Sequence, residues 1–179
     1  MYIQSWKELI ETMRADISNW KPYGLGGGLS VCSRFVILFR LCSFFKNKKP
    51  FHYRIVFFIC RIIYKHYQIK TGIQLPIGTF VGKGLFFPHY SCIVINGDSI
   101  IGSWCTIYQG TTIGKSKGGG CPKIGNNCCI YAGAKIVGGV EIGDNVIVGA
   151  NSVVTKSIQS NDVVAGVPAK SIKRFVLNV

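Results

Sequence analysis

From residue 75 onward the chain repeats with a period of six. Counting by sixes from Leu75 reaches Val81, Phe87, Ile93, Ser99, Cys105 and Thr111. After an interruption, counting from Ile124 reaches Ile130, Ile136, Ile142, Val148 and Val154. Eleven of these 13 positions are apolar in a chain that is 48% hydrophobic, so composition alone does not produce the pattern. A second column lies two residues away, as side-chain alternation along a strand requires: Ile95, Ile101, Ile107 and Ile113, then Cys128, Ala134, Val140 and Val146. Gly82, Gly102, Gly114, Gly125, Gly143 and Gly149 each follow an aliphatic residue and supply tight corners. An amphipathic helix would need a period of 3.6, which nothing here supplies. Short strands that turn a corner every six residues and stack coil on coil make a parallel β-helix of hexapeptide repeats, a mainly β fold.

The count breaks twice. At "KGLFFPHY" (83–90), Lys83 and His89 stand in the slots that the second aliphatic column would fill. The other two histidines, His52 and His66, lie upstream of the repeat. At "GKSKGGGCPK" (114–123) the count restarts 11 residues after Ile113. A stacked coil tolerates insertions as loops that leave the solenoid, and such loops on rigid scaffolds are where sites are built.

Residues 1–70 read as a helical N-terminal region, followed by the repeat domain and its C-terminal tail over 71–179. "MYIQSWKELIETMRADISNW" is an amphipathic helix, with charges throughout that rule out a signal peptide. Residues 30–45 and 51–69 are two further helices, separated by "KNKKP". Arg54, Arg61 and Lys65 fall on one face of the last helix. Two readings stand: a helix packed in a domain or oligomer core with a solvated basic stripe, or an interfacial helix facing anionic lipid. The apolar runs "FVILF" and "IVFFIC" are too short to span a bilayer, and a cytoplasmic protein is expected, with possible peripheral contact at the membrane.

Charge narrows the partners. There are 21 Lys and Arg against seven Asp and Glu, and residues 1–70 hold 12 of the basic residues but only Glu8, Glu11 and Asp16 as acids. Such a surplus favours a phosphorylated cofactor, an acidic glycan or anionic lipid. Nucleic acid is set aside, since no recognised binding module accompanies the charge. The eight cysteines form no C-x-x-C pair and sit mostly among apolar residues, which reads as buried free thiols with no metal site.

The segments "GKGLFFPH", "IVIN", "TTIG", "CPKIGNNCCIYAGAKIVGGVEIGDNVIVGANSVVTK" and "VVAGVPAK" resemble the serine acetyltransferase-like branch of the left-handed β-helix acyltransferases. Within it, the likeness is greatest to acetyltransferases of capsular and exopolysaccharide synthesis. The resemblance implies a homotrimer or a dimer of trimers, with acetyl-CoA bound as co-substrate in the groove between neighbouring solenoids. It also implies a histidine that deprotonates the acceptor, and His89 matches that position. A histidine suits the task, because acyl transfer to a hydroxyl requires a base near neutral pKa beside the attacking oxygen.

The matched positions also depart from the family. Where serine acetyltransferases orient the histidine with an aspartate, this chain has Gln74, which can accept an N–H but carries no charge. The aspartate that grips the serine amine is Pro88, and an Arg-His pair that handles the serine carboxylate is Gly120 and Cys121. Cofactor-side positions are retained: Ile113, Gly114, Ala132, Gly133 and Ala150 along the pantetheine arm, and Lys156 and Lys170 near the phosphates. Lys123 and Lys135 are further candidates. Cys121 has no basic partner assignable from sequence and reads as a lining residue. A sugar hydroxyl of a capsular or extracellular polysaccharide is therefore the expected acceptor, with serine and a non-catalytic solenoid scaffold as the alternatives.

Overall fold

The computed structural model describes residues 3–20 and 30–174. Three helices come first, α1 (Trp6–Trp20), α2 (Val31–Phe45) and α3 (Phe51–Thr71). They match the expected helical segments, with the first two residues of the N-terminal one outside the described residues. Ser30 caps α2 by accepting from the Ser33 N–H, and α3 ends on Gly72 in the left-handed conformation at φ 67°.

Among the described residues, fourteen short strands follow, in three sheets. The first contains β1 (Ile73–Gln74), β3 (Ile93–Ile95), β6 (Thr112–Gly114), β9 (Lys135–Val137) and β12 (Val153–Val154). The second contains β2 (Phe80–Val81), β4 (Ile100–Ile101), β7 (Lys123–Ile124) and β10 (Glu141–Ile142). The third contains β5 (Thr106–Ile107), β8 (Cys129–Ile130), β11 (Ile147–Val148), β13 (Asp162–Ala165) and β14 (Lys170–Arg174). The chain visits each sheet once per coil and pairs in parallel with the next coil; only β14 folds back antiparallel on β13. This is the expected parallel β-solenoid. Both aliphatic columns point inward, and Ile101, Ile107, Ile113, Ile130, Ile136 and Val148 are fully buried.

The register corrects the count by sixes at one place. Later coils keep the spacing of three hexads, with Ile124 facing Ile142 and Ile136 facing Val154. In the first coil, Ile73 pairs with Ile93 and Val81 with Ile101, 20 residues on, while Val94 pairs with Thr112, 18 residues on. Phe86 bridges Thr106, so two extra residues lie between Phe86 and Val94. His89 therefore stands in an enlarged corner and does not replace a core residue. Lys83 is also at a corner, with an exposed side chain and its carbonyl accepting from the Trp104 N–H. A slip of two residues leaves every side chain on its own face, so an apolar count cannot detect it. The second break is an insertion of five: Ile95 meets Ile113 at 18 residues, but Ile101 meets Ile124 at 23.

The corners also work differently from expectation. The left-handed corner positions between the second and third sheets are held by Asn127, Asn145 and Asn161, at φ 55°, 58° and 62°. Their side chains form a hydrogen-bonded ladder, Asn127 to Asn145 and Asn145 to Asn161. Gly102 is needed for close stacking instead: a Cβ there would collide with the Gly125 carbonyl oxygen of the next coil.

The first coil has no preceding coil to satisfy its backbone, and the helices supply what is missing. Arg40 of α2 donates through Nη1 to the Val81 carbonyl at 2.8 Å and through Nη2 to the Gly82 carbonyl at 2.6 Å. The same guanidinium pairs with Asp16 of α1, which accepts from Nε at 2.9 Å and from the Leu85 N–H at 2.9 Å. Trp20 Nε1 donates to the Leu85 carbonyl, and Tyr64 of α3 donates to that of Leu75. Around these bonds Trp20, Phe35, Val36, Phe39 and Tyr64 share one apolar core with the solenoid interior.

Helix α3 packs inward through Phe57, Cys60, Tyr64 and Tyr67 and leaves Arg54, Arg61 and Lys65 exposed. Among the described residues no helix is long and apolar enough to cross a membrane, and no cluster of His, Cys, Asp or Glu could hold a metal ion. All eight cysteines are free, but only Cys32, Cys42, Cys105 and Cys128 are buried, and Cys92 is exposed in the His89 corner. Burial pushes the Cys32 thiol up to about 11 and that of Cys42 up to about 12, which suits inert core thiols.

Candidate active site

One edge of the solenoid runs where the chain passes from the third sheet to the first. It carries residues 87–92 in the first coil, 108–111 in the second, 131–134 in the third and 149–152 in the fourth. The enlarged first corner displays His89, whose side chain is exposed. Ser91 and Cys92, just after it, both adopt positive φ, at 101° and 52°. Non-glycine residues held there cost on the order of 1–3 kcal/mol each. The Ser91 carbonyl accepts from the Gly110 N–H, which ties this corner to the next coil.

His89 has aromatic company on one side. Its ring centroid is 6.3 Å from that of Tyr108, which stacks on Tyr131 at 5.0 Å and 14°. Sequence reasoning missed these tyrosines. Their signal was present, since Tyr131 falls on Tyr108 once the five inserted residues are removed. On its other side the His89 corner faces the start of α2 across a cleft of about 420 Å³ lined by Ser30, Val31, Cys32, Pro88, His89 and Tyr90.

Of the cofactor-side candidates, Ala132, Gly133 and Ala150 share the edge of His89. Lys135 turns toward the same edge, its Nζ donating to the Gly110 carbonyl and to Thr112 Oγ1. Ile113, Gly114 and Lys156 lie at the next edge, between the first and second sheets, beside the inserted loop. Ile113 is fully buried, so only its backbone is available to a ligand. Lys123 sits on the second sheet, 2.8 Å from Glu141. The hydrogen bond and charge of Glu141 raise the Lys123 pKa, and Lys123 lowers that of Glu141 in turn. Lys170 opens β14 beside Ala165 and is exposed.

Gln74 and His89 are not joined. Gln74 is exposed on β1 in a cleft with Lys65, Gln68 and Ile69, and among the described residues no hydrogen bond links it to His89. Cys121 is half-buried, its thiol donating to Asn96 Oδ1 at 3.4 Å.

The glycines distinguish structural need from open space. At Gly133 the backbone stands at φ 73° and a Cβ would meet the Asn151 side-chain oxygen, so the corner itself favours glycine. At Gly114 it would meet nothing closer than Thr112 Cγ2 at 3.8 Å. The fold thus leaves Gly114 open, a bare backbone edge that a ligand arm can approach closely.

Residues 121–156 match the bacterial transferase hexapeptide family (six repeats). A serine acetyltransferase of Staphylococcus aureus is 44% identical over 107 residues, covering 58% of this chain and 50% of the relative. The chain spans about half the length of the curated relatives it matches. The fold resembles that of a Neisseria gonorrhoeae serine acetyltransferase solved in complex with serine, with TM-score 0.78 and 23% identity over 94% of this chain and 71% of the other. It also resembles a serine acetyltransferase solved with CoA, with TM-score 0.78 and 24% identity over 93% and 71%. These relatives overturn the polysaccharide acceptor expected from sequence, and the capsular branch with it: strong likeness falls on serine acetyltransferases. The physical reason is that a missing charged side chain identifies a lost contact and says nothing of the ligand that replaces it. Repeat, three-sided solenoid and relatives agree: the chain resembles the hexapeptide-repeat β-helix acyltransferases, with residues 121–156 matching their repeat.

Proposed function

We propose that the protein transfers the acetyl group of acetyl-CoA to the hydroxyl of serine, with His89 as general base, and that it works as a homotrimer. The observation that carries this reading is the 44% identity across the solenoid to a serine acetyltransferase. His89 accepts the proton of the serine hydroxyl as its oxygen attacks the thioester carbonyl. The C–S bond then breaks, the acetyl group stays on oxygen, and the proton passes to the departing sulfur. Backbone N–H groups of the coils are available to hold the oxyanion. Ala132, Gly133 and Ala150 line one side of the substrate groove and the open backbone at Gly114 the other, with Lys156 and Lys170 toward the phosphates. These residues occupy two edges of one solenoid, so an edge of a second copy is needed to complete each groove. That requirement supports the trimer.

Pro88, Gly120 and Cys121 replace the ionic contacts that the family makes with serine, and Gln74 replaces the charged partner of the histidine. Weak serine binding and a modest rate follow. The test is thiol release from acetyl-CoA with L-serine as acceptor. His89→Ala should lower the serine-dependent rate by about 10²–10⁴-fold with folding unchanged, as for loss of a general base. Pro88→Asp should lower the KM for serine by about tenfold or more, the value of a hydrogen bond to a charged group. Release that serine does not stimulate, in the wild type and in Pro88→Asp alike, would refute serine as acceptor.

A further inference from the structure

Helix α3 has two apolar faces, and the solenoid uses one. Phe57, Cys60, Tyr64 and Tyr67 face inward. On the opposite side Phe51, Ile55, Phe58, Ile62 and Ile69 recur at helical spacing and are 75%, 46%, 62%, 57% and 74% exposed. Arg54, Arg61 and Lys65 line one margin of this outer stripe, all exposed. At its N-terminal end the turn before α3 adds Lys49, also exposed, and a shallow groove there is lined by Lys46, Lys48, Arg54, Ile55 and Phe58.

The charge around the stripe has one sign. Between Asp16 and Asp98 the chain contains no acidic residue at all. A second copy seated on this stripe would bring arginines and lysines together with no carboxylate from α2 or α3 to answer them. An acidic lipid surface answers every one. Its acyl boundary accepts Phe51, Phe58 and Ile62, while the cationic margin stays among the headgroups. From this geometry we propose that the outer face of α3 docks the protein on an anionic phospholipid bilayer, the helix lying in the plane of the surface. This holds whatever acceptor the solenoid uses. It would confine the chemistry to the neighbourhood of the membrane.

Flotation of the full-length protein with vesicles tests this, using phosphatidylcholine alone or mixed with phosphatidylglycerol. Binding is expected to the mixed vesicles only, and to weaken as salt screens the headgroups. Neutralising Arg54, Arg61 and Lys65 to Gln should each reduce partitioning roughly fivefold, since a basic residue near such a surface contributes on the order of 1 kcal/mol. Phe58→Ser with Ile62→Ser should abolish it, and because both side chains are exposed, acetyl-CoA turnover and thermal midpoint should not change. Failure of the wild type to float with anionic vesicles would overturn the proposal. So would equal binding to neutral vesicles. A fall in oligomer size by light scattering for Phe58→Ser with Ile62→Ser, without vesicle binding by the wild type, would reassign the stripe as a contact between copies of this chain.

Discussion

In the solenoid each strand bonds to its equivalent one coil away, and the same apolar residues recur behind every bond. The three helices have no such repetition. They meet the first coil through unlike side chains, Arg40, Asp16, Trp20 and Tyr64 among them, that satisfy backbone groups left open at the end of the stack. An ion pair in each region can be compared, and the two are nearly equal in length: 2.9 Å for Arg40–Asp16 and 2.8 Å for Lys123–Glu141. Exposure separates them, at 2% and 1% for the first pair against 60% and 67% for the second. Burial raises the Asp16 carboxyl, and Arg40 opposes that rise by charge and hydrogen bonding. The difference teaches that a repeat distributes its stability over many like contacts, whereas the cap concentrates it in a few unlike ones.

The comparison can be broken most directly at Arg40. Arg40→Met strands a buried carboxylate and leaves the carbonyls of Val81 and Gly82 without their donor, at an expected cost of about 3–5 kcal/mol. Chemical denaturation measures it, and a loss near zero would mean that the solenoid end does not depend on the helices. An intermediate effect is expected inside the repeat. Gly102→Ala forces a methyl group against the Gly125 carbonyl and should cost about 1–3 kcal/mol, read from the same unfolding curve. At the small end, Lys123→Ala removes a solvated pair and should leave the midpoint where it was. A clear destabilisation there would give the two ion pairs more in common than their exposure implies.

Legibility in the sequence followed the same division. The solenoid could be read residue by residue, since a period of six with inward columns admits one kind of stack. The three helices could be located, but not their manner of capping. The candidate base His89 was found as an interruption of the repeat and as a match to a family motif, for a reason that needed amendment: it occupies a two-residue enlargement of a corner. The aromatic neighbours Tyr108 and Tyr131 were invisible until the five-residue insertion set the register. The acceptor is not legible in the sequence, because an absent side chain marks a lost contact and not the ligand that replaces it.

What the sequence by itself determined is what repeats or what is local: the parallel stack, its inward columns, the three helical segments, and the position of the loop at 114–123. Local propensity and period carry that information along the chain. Only the tertiary structure decided which coil edge each candidate residue shares, that Arg40 and Asp16 close the open end, and that α3 keeps an apolar face turned outward. Those outcomes depend on pairs far apart in the chain, such as Asp16 with Leu85 and Arg40 with Val81. Their geometry is set by a register that can slip by two residues without changing which side chains are buried.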